Sequence, residues 1–237
     1  MSGRYQGSHA AQNGHKPPKA SAINETLAFE QLRVIATRLN QLGRERPLRV
    51  VAVTSSTASE GKTTVATNLA IIMARFFARK TLLIDTDFRR PSVASLLKGT
   101  FSHGLTEVLR GEVAPTEARW QVLDQQLTVL PLIKPEPAAL PLLSQPDARS
   151  RFQEAIEGFD TVIVDTPPAL PLADNYLISE LVDGFIFVVK AEQTPQNLIT
   201  AAVKGIPKNK LIGFVLNHTR LFGHTAYNHL YYGPIRY

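Results

Sequence analysis

The sequence predicts an α/β fold with a mostly parallel central sheet covered by helices on both faces, and three observations lead to that prediction. Short apolar runs alternate with helical patterns along most of the chain, which is the order that produces parallel strands joined by helices. A Gly-Lys-Thr triplet, residues 61–63, stands between the first predicted strand and the next helix. Acidic residues follow two further predicted strands. Polar side chains are therefore expected to collect at one edge of the sheet.

The predicted elements lie between two tails. Residues 1–22 lack periodicity and acidic side chains, so we expect a disordered basic N-terminal tail. Apolar residues at helical spacing predict a helix over 22–43, and a Val-rich run predicts a buried parallel strand over 48–53. Helices are then predicted at 62–79, 92–98, 105–111, 147–156, 173–181 and 195–203, and strands at 81–84, 127–130, 161–164, 185–189 and 211–216. The core is thus assigned to residues 23–217, and 218–237 are expected to form a flexible tail.

Composition excludes several classes of protein. The chain has 237 residues, of which 44% are hydrophobic and 19% are charged, a balance that excludes wholesale disorder and a collagen-like fibre. There is no cysteine, which excludes disulfides and thiolate metal sites. The longest apolar stretch is too short to span a bilayer. A net charge of +6 suits an anionic partner without choosing among nucleotide, nucleic acid and acidic lipid.

The Gly-Lys-Thr triplet lies where a phosphate-binding loop belongs, between a strand and a helix. We use the name phosphate-binding loop for Ser56 to Thr64. Its backbone N–H groups can point at phosphates, the Lys62 ammonium supplies a charge, and the Thr63 hydroxyl can bind Mg²⁺. Serine occupies position 56, where the full motif has glycine. The candidate nucleotide-binding residues of the loop are Ser59, Glu60, Gly61, Lys62, Thr63 and Thr64.

Three acids complete the candidate site. Asp85 and Asp87 follow the predicted strand at 81–84, and Asp165 follows the strand at 161–164. Carboxylates at these strand ends can hold a Mg²⁺ ion or accept a proton from an attacking hydroxyl. An isolated Asp after a strand is usually a turn or cap residue, but three of them beside Lys62 favour a functional set.

Five segments together resemble the bacterial tyrosine kinases of capsular and exopolysaccharide synthesis. They are 54–64, 82–91, 104–111 (GLTEVLRG), 162–168 and 213–217 (GFVLN), and the resemblance covers nearly the whole chain from about residue 23. These kinases are P-loop NTPases, a group that also includes partition and division-site positioning ATPases. The resemblance implies a protein-tyrosine autokinase that uses ATP and Mg²⁺ and regulates polysaccharide assembly.

The resemblance also implies roles for individual residues. Lys62 and Thr63 would contact ATP·Mg²⁺, with Thr63, Asp85 and Asp165 on the metal, Asp165 being in the Walker B position. Asp85 or Asp87 would accept the proton of the incoming tyrosine. The resemblance places Asn217 near the adenine, whereas the residue alone is equally well explained as a turn or helix cap.

Tyrosines cluster near the C-terminus. Four of the six lie in the last eleven residues, at Tyr227, Tyr231, Tyr232 and Tyr237, and this resembles the acceptor cluster of the family. A flexible tail can carry a hydroxyl into the active site of a neighbouring copy. Each phosphate adds about −1.5 to −2 charges at pH 7. The four tyrosines are therefore predicted to be phosphorylated in trans; the alternative is aromatic packing of the tail onto the core.

The resemblance implies partners as well. With no membrane span predicted in this chain, it implies a separate transmembrane chain-length or activator protein and a cytoplasmic location at the inner face of the plasma membrane. A homo-oligomer is predicted, although the ring-forming pattern of the family is matched only at Arg33. No nucleic-acid partner is predicted.

Two alternatives to the kinase stay open. One is an ATPase switch that positions cargo; such proteins carry an additional lysine where this chain has Thr57, which counts against it. The other is a degenerate nucleotide-binding scaffold, suggested by Ser56, Ala58 and Ser59 in the loop.

Overall fold

A computed structural model describes residues 27–122, 126–170 and 173–219 of the chain. The predicted N-terminal tail and the four C-terminal tyrosines lie outside these ranges. Within them the chain forms eight α-helices and seven strands, with short 3-10 helices at Pro137–Ser144 and Lys208–Lys210. The elements run in the order α1 (Leu27–Glu45), β1 (Val50–Ser55), α2 (Lys62–Phe77), β2 (Thr81–Asp85), α3 (Val93–Leu96), α4 (Leu105–Arg110), α5 (Pro115–Ala118), β3 (Trp120–Val122), β4 (Leu127–Leu130), α6 (Pro146–Ile156), β5 (Thr161–Asp165), α7 (Ala173–Ser179), β6 (Gly184–Lys190), α8 (Gln196–Val203) and β7 (Leu211–Asn217).

The strands form one sheet in the order β3-β4-β2-β5-β1-β6-β7. Every neighbouring pair is parallel except β3 and β4, which are antiparallel. In this order β5 lies between β1 and β2, and the register places Asp85 of β2 directly beside Asp165 of β5. The carboxyl ends of the parallel strands therefore bring the predicted acids to the edge where β1 enters the phosphate-binding loop.

The two faces of the sheet have separate cores because alternate residues of a strand point to opposite sides. Val51 and Val53 of β1 pack with α1 and α2. Val50 and Ala52 pack on the other face, with the helices α4 to α8. Helices thus cover both faces, which confirms the predicted α/β architecture.

Several local predictions were wrong in detail. The first strand was predicted at 48–53 but lies two residues further along, at Val50–Ser55, because Thr54 and Ser55 pair with β6. Their buried hydroxyls donate to the carbonyls of Pro167 and Thr57 and so have hydrogen-bond partners. The structure also contains the short helix α5 and the strand β3, which were not predicted. Three residues are too few for a period of two to be recognised, and pairing with β4 forms this strand.

Candidate active site

The phosphate-binding loop joins β1 to α2 and requires unusual backbone angles. Gly61 is the N-cap of α2 with φ +93°, and Ser59 has φ +66°, a region that residues with side chains seldom occupy. A Cβ on Gly61 would lie 2.0 Å from Nδ2 of Asn217. Glycine at this position is therefore required both by the turn and by the close approach of the last strand.

A cavity of about 520 Å³ lies above this loop. Its walls include the predicted residues Ser59, Gly61, Lys62, Thr63, Thr64 and Asp87. Volumes of about 300–1,000 Å³ are usual for small-molecule sites. The cavity is large enough for a nucleotide, and most of the predicted binding residues line it.

Lys62 is the central cation of the site. It is buried, with Nζ 2.9 Å from Oδ2 of Asp87 and 3.9 Å from Oδ1 of Asp165. Burial lowers the pKa of Lys62, but the charges of Asp165, Asp87 and Asp85 outweigh burial and raise it above its ordinary value. Lys62 therefore stays charged, as a residue that neutralises phosphate must.

The three acids have different surroundings. Asp85 accepts three backbone N–H groups, from Asp87 to Oδ1 at 3.0 Å and from Ser92 and Val93 to Oδ2 at 2.9 and 3.1 Å. Burial nevertheless raises its pKa to about 6. Both Asp165 oxygens are buried, and neither accepts a hydrogen bond of ordinary geometry. Burial, only partly opposed by Lys62 and by the nearby Thr63 hydroxyl, raises the pKa of Asp165 to about 7. Asp87 faces the cavity, with Oδ1 accepting the N–H of Arg90 at 2.9 Å.

The oxygens of Asp165 and Thr63 fit a Mg²⁺ ion. The Asp165 carboxylate needs a partner, and the Thr63 hydroxyl, 2.9 Å from the Ser92 hydroxyl, is a further hard donor of the kind Mg²⁺ prefers. In the described part of the chain, no group of three or more acidic or histidine side chains is arranged to hold a metal ion. The pair formed by Asp165 and Thr63 suits Mg²⁺, which is usually held by one or two carboxylates together with phosphates and water. Asp85 uses both oxygens on backbone groups, so its direct contact with metal stays a prediction.

Two predicted nucleotide-binding residues point elsewhere. The Glu60 side chain is buried and does not line the cavity, because its carboxylate accepts the Thr57 N–H at 3.0 Å and contacts the Thr194 hydroxyl. Asn217 donates to the Glu60 carbonyl at 2.9 Å and accepts the His218 N–H. Both side chains therefore contact the loop without lining the cavity. The proposed contact of Asn217 with adenine stays a prediction.

Sequence reasoning missed an ion pair in the cavity wall. Arg89 donates from Nε to Asp174 at 3.1 Å, and Asp174 is buried while Arg89 is half exposed. Their separation of 85 residues leaves no local pattern that joins them. The only available signal was the position of Arg89, two residues after Asp87.

Stability of the metal-free protein should fall as the pH rises from about 4 to about 7. Burial raises the pKa of Asp85 and Asp165 from 3.8 to about 6 and about 7. Between these values the folded protein binds more protons than the unfolded chain does, so the free energy of unfolding decreases with pH and the loss is complete above the raised pKa values. Urea unfolding in EDTA at about pH 4.5, 6 and 7.5 measures this slope.

The control for this prediction is Asp165→Asn, which cannot titrate at position 165. Its stability should decline less steeply over the same interval. Stability that increases between about pH 5 and 7 in the unsubstituted protein would contradict the predicted sign.

Comparison with known proteins gives consistent matches. Residues 51–227 match the family model described as the CobQ/CobB/MinD/ParA nucleotide binding domain. Tyrosine-protein kinase YwqD of Bacillus subtilis is 35% identical over 215 residues, which are 88% of each chain. Succinoglycan biosynthesis transport protein ExoP of Rhizobium meliloti is 32% identical over 72% of this chain, which spans only 22% of ExoP. The kinase domain of Escherichia coli tyrosine kinase ETK superposes with a TM-score of 0.76 at 26% identity, covering 84% of this chain and 79% of that domain.

Proposed function

The chain belongs to the bacterial tyrosine-protein kinases within the CobQ/CobB/MinD/ParA nucleotide-binding family. We therefore propose that it is an autokinase, which transfers the γ-phosphoryl group of ATP to tyrosines of its own C-terminal segment. One observation carries the proposal at the site. Lys62 lies 2.9 Å from Asp87 and 3.9 Å from Asp165, on the wall of a cavity above the phosphate-binding loop. Phosphoryl transfer needs this combination of a cation for phosphate and carboxylates for metal and proton.

The loop and Lys62 hold the triphosphate. The first residues of α2 line the cavity, and the N–H groups of a helix N-terminus attract anions. The Lys62 ammonium exchanges part of its contact with Asp87 for the β- and γ-phosphate oxygens. Mg²⁺, held by Asp165 and the Thr63 hydroxyl, would supply positive charge to the same oxygens.

Asp87 is the residue we assign to the proton of the acceptor tyrosine. Its carboxylate lines the cavity, and its Oδ2 is released when Lys62 turns to phosphate. The tyrosine oxygen attacks phosphorus, its proton passes to Asp87, and ADP leaves with the electron pair of the broken bond. Asp85 shapes the loop that carries Asp87, because its oxygens accept three backbone N–H groups.

The acceptors in this proposal are Tyr227, Tyr231, Tyr232 and Tyr237, on a tail at 218–237 that follows a kinase core at 23–217. Reaction in trans requires that copies of the chain meet, so a homo-oligomer is part of the proposal. Phosphates on four tyrosines would add about −6 to −8 charges. Phosphorylation would therefore reverse the charge of the tail and change what it binds.

The tail proposal is tested by tyrosine labelling. Purified protein is incubated with Mg²⁺ and ATP, and tyrosine phosphate is located by mass spectrometry. We expect most of the label on residues 227–237, and we expect replacement of all four tyrosines by phenylalanine to remove at least about nine-tenths of it, since labelling requires the hydroxyl as nucleophile. Mixing this variant with a Lys62→Met chain that keeps its tyrosines tests transfer in trans.

Four results would contradict parts of the proposal. Label that stays on the core in the four-phenylalanine variant would exclude the tail as the main acceptor. Phosphate release without tyrosine label would favour the ATPase switch, and nucleotide binding with no turnover, even with the membrane partner present, would favour the scaffold. Failure of the mixed sample to label the Lys62→Met chain would exclude transfer in trans.

We further propose that the kinase serves exopolysaccharide or capsule assembly beside a separate transmembrane partner. The name of the relative ExoP places it in succinoglycan biosynthesis and transport, and the present chain matches a fifth of its length. None of the helices in the described ranges is long and apolar enough to cross a bilayer. A membrane protein with a cytoplasmic activating segment would bring the kinase to the inner face of the plasma membrane.

A further inference from the structure

Glu60 lies within the phosphate-binding loop, but its carboxylate contacts Thr57 and Thr194 and does not line the cavity. We infer that Glu60 is a positioning residue: it holds the loop in its nucleotide-binding shape by fastening it to the turn between β6 and α8 through Thr194. The inference rests on the proposed function, because it takes the loop to be the ATP site. It concerns how the loop keeps its shape, not which groups touch the nucleotide.

The carboxylate joins two separate parts of the chain. One oxygen, Oε2, accepts the backbone N–H of Thr57 at 3.0 Å, which closes the loop on itself. The other, Oε1, accepts the hydroxyl of Thr194, which lies 134 residues further along the chain. Glu60 is 2% exposed, so its carboxylate is shielded from water. Hydrogen bonds to a charged group are strong in such surroundings.

The anchor at Thr194 is itself fixed. The Thr194 hydroxyl oxygen accepts the N–H of Lys190, and the Thr194 N–H donates to the Lys190 carbonyl at 3.0 Å. These bonds close the turn directly after β6, a buried strand of the sheet. The Glu60 carboxylate therefore connects a loop to a rigid part of the fold.

The loop needs such a connection because its backbone is strained. Ser59 has a positive φ although it carries a side chain, and such conformations persist only where the surroundings hold them. The free loop would therefore relax to other shapes if its inner contacts were removed.

Asn217 holds the same segment from β7. Its Nδ2 donates to the Glu60 carbonyl, while its Oδ1 accepts the His218 N–H. Contacts from the ends of β6 and β7 therefore converge on a single loop residue. Glu60 receives one of them through its side chain and the other through its backbone.

The consequence is affinity through preorganisation. A loop already in its binding shape pays less conformational entropy when the triphosphate arrives. Removing the hydrogen bonds of the Glu60 carboxylate should weaken MgATP binding and raise the KM for ATP. The kcat at saturating ATP should change little, because Lys62 and Asp87 remain in place.

Calorimetric titration of the full chain with MgATP tests the inference. Glu60→Ala removes both hydrogen bonds and should weaken binding by about 10- to 100-fold. Glu60→Gln keeps both, since its amide oxygen can accept the Thr57 N–H and its NH₂ can donate to the Thr194 hydroxyl. It should bind within about threefold of the unsubstituted chain. Thr194→Val removes the hydroxyl and should weaken binding, whereas Thr194→Ser keeps the hydroxyl and should not. The double variant with Glu60→Ala and Thr194→Val should bind MgATP only slightly more weakly than Glu60→Ala alone.

The controls separate the effect of the Glu60 hydrogen bonds from a loss of the fold and from a loss of kinase activity. Glu157→Ala changes an exposed acid directly after α6 and should leave binding unchanged. If Glu60→Ala fails to fold, the Thr194→Val and Thr194→Ser pair still tests the hydroxyl. Glu60→Ala binding as tightly as the unsubstituted chain, Glu60→Gln binding as weakly as Glu60→Ala, or equal affinities of the two Thr194 variants would each overturn the inference. MgATP binding without tyrosine labelling would instead contradict the proposed function and would leave the inference about Glu60 unaffected.

Discussion

Lys62→Met is expected to reduce the rate of tyrosine labelling at least about 100-fold, because removing one group that stabilises charge in a transition state costs about 10²–10³ in rate. The substitution removes the ammonium that would neutralise the transferring phosphoryl group. It also leaves Asp87 and Asp165 buried without the cation that lies 2.9 and 3.9 Å from them. The measurement is the initial rate of tyrosine phosphate formation at saturating MgATP.

Lys204→Met is the matched control, since Lys204 is exposed at the end of α8. It should keep the full rate. Thermal unfolding of both variants shows whether a loss of rate reflects a loss of fold. Labelling by a folded Lys62→Met variant at more than about one-tenth of the original rate would refute the central role of this lysine.

Asp87→Asn is expected to lower kcat by about 10²- to 10⁴-fold, the usual contribution of a positioned proton acceptor. The amide has nearly the shape of the carboxylate, and its oxygen can still accept the Arg90 N–H that Asp87 accepts at 2.9 Å. The fold should therefore be kept while the proton acceptor is lost. Single-turnover labelling at saturating MgATP measures the chemical step, and calorimetry should show that ATP still binds.

Asp85→Asn is the informative comparison for that prediction. Asp85 accepts N–H groups on both oxygens, so an amide there must direct its NH₂ at a backbone N–H whichever way it lies. The cost should appear as about 1–3 kcal/mol of lost stability, measured by urea unfolding. The opposite pattern, with Asp87→Asn unstable and Asp85→Asn stable but inactive, would exchange the roles we assign.

Much of the site was predictable because its parts are local in the chain. Gly61, Lys62 and Thr63 are recognised by their spacing between a strand and a helix, and Asp165 by its place at a strand end. The direction of the Glu60 side chain was not predictable. Its partner Thr194 is 134 residues away, and no period or adjacency in the sequence connects the two.

Sequence alone predicts the alternation of strands and helices, the phosphate-binding loop and the three acids at strand ends. These features depend on side-chain period and on neighbours within a few residues. The position of β5 between β1 and β2 is a property of the folded chain, and it places Asp165 beside Asp85 and 3.9 Å from Lys62. The Arg89–Asp174 pair and the side-chain contacts to the phosphate-binding loop are properties of the folded chain as well. Strand order and contacts over long sequence separations arise from packing the whole chain, so they leave no mark on any short segment.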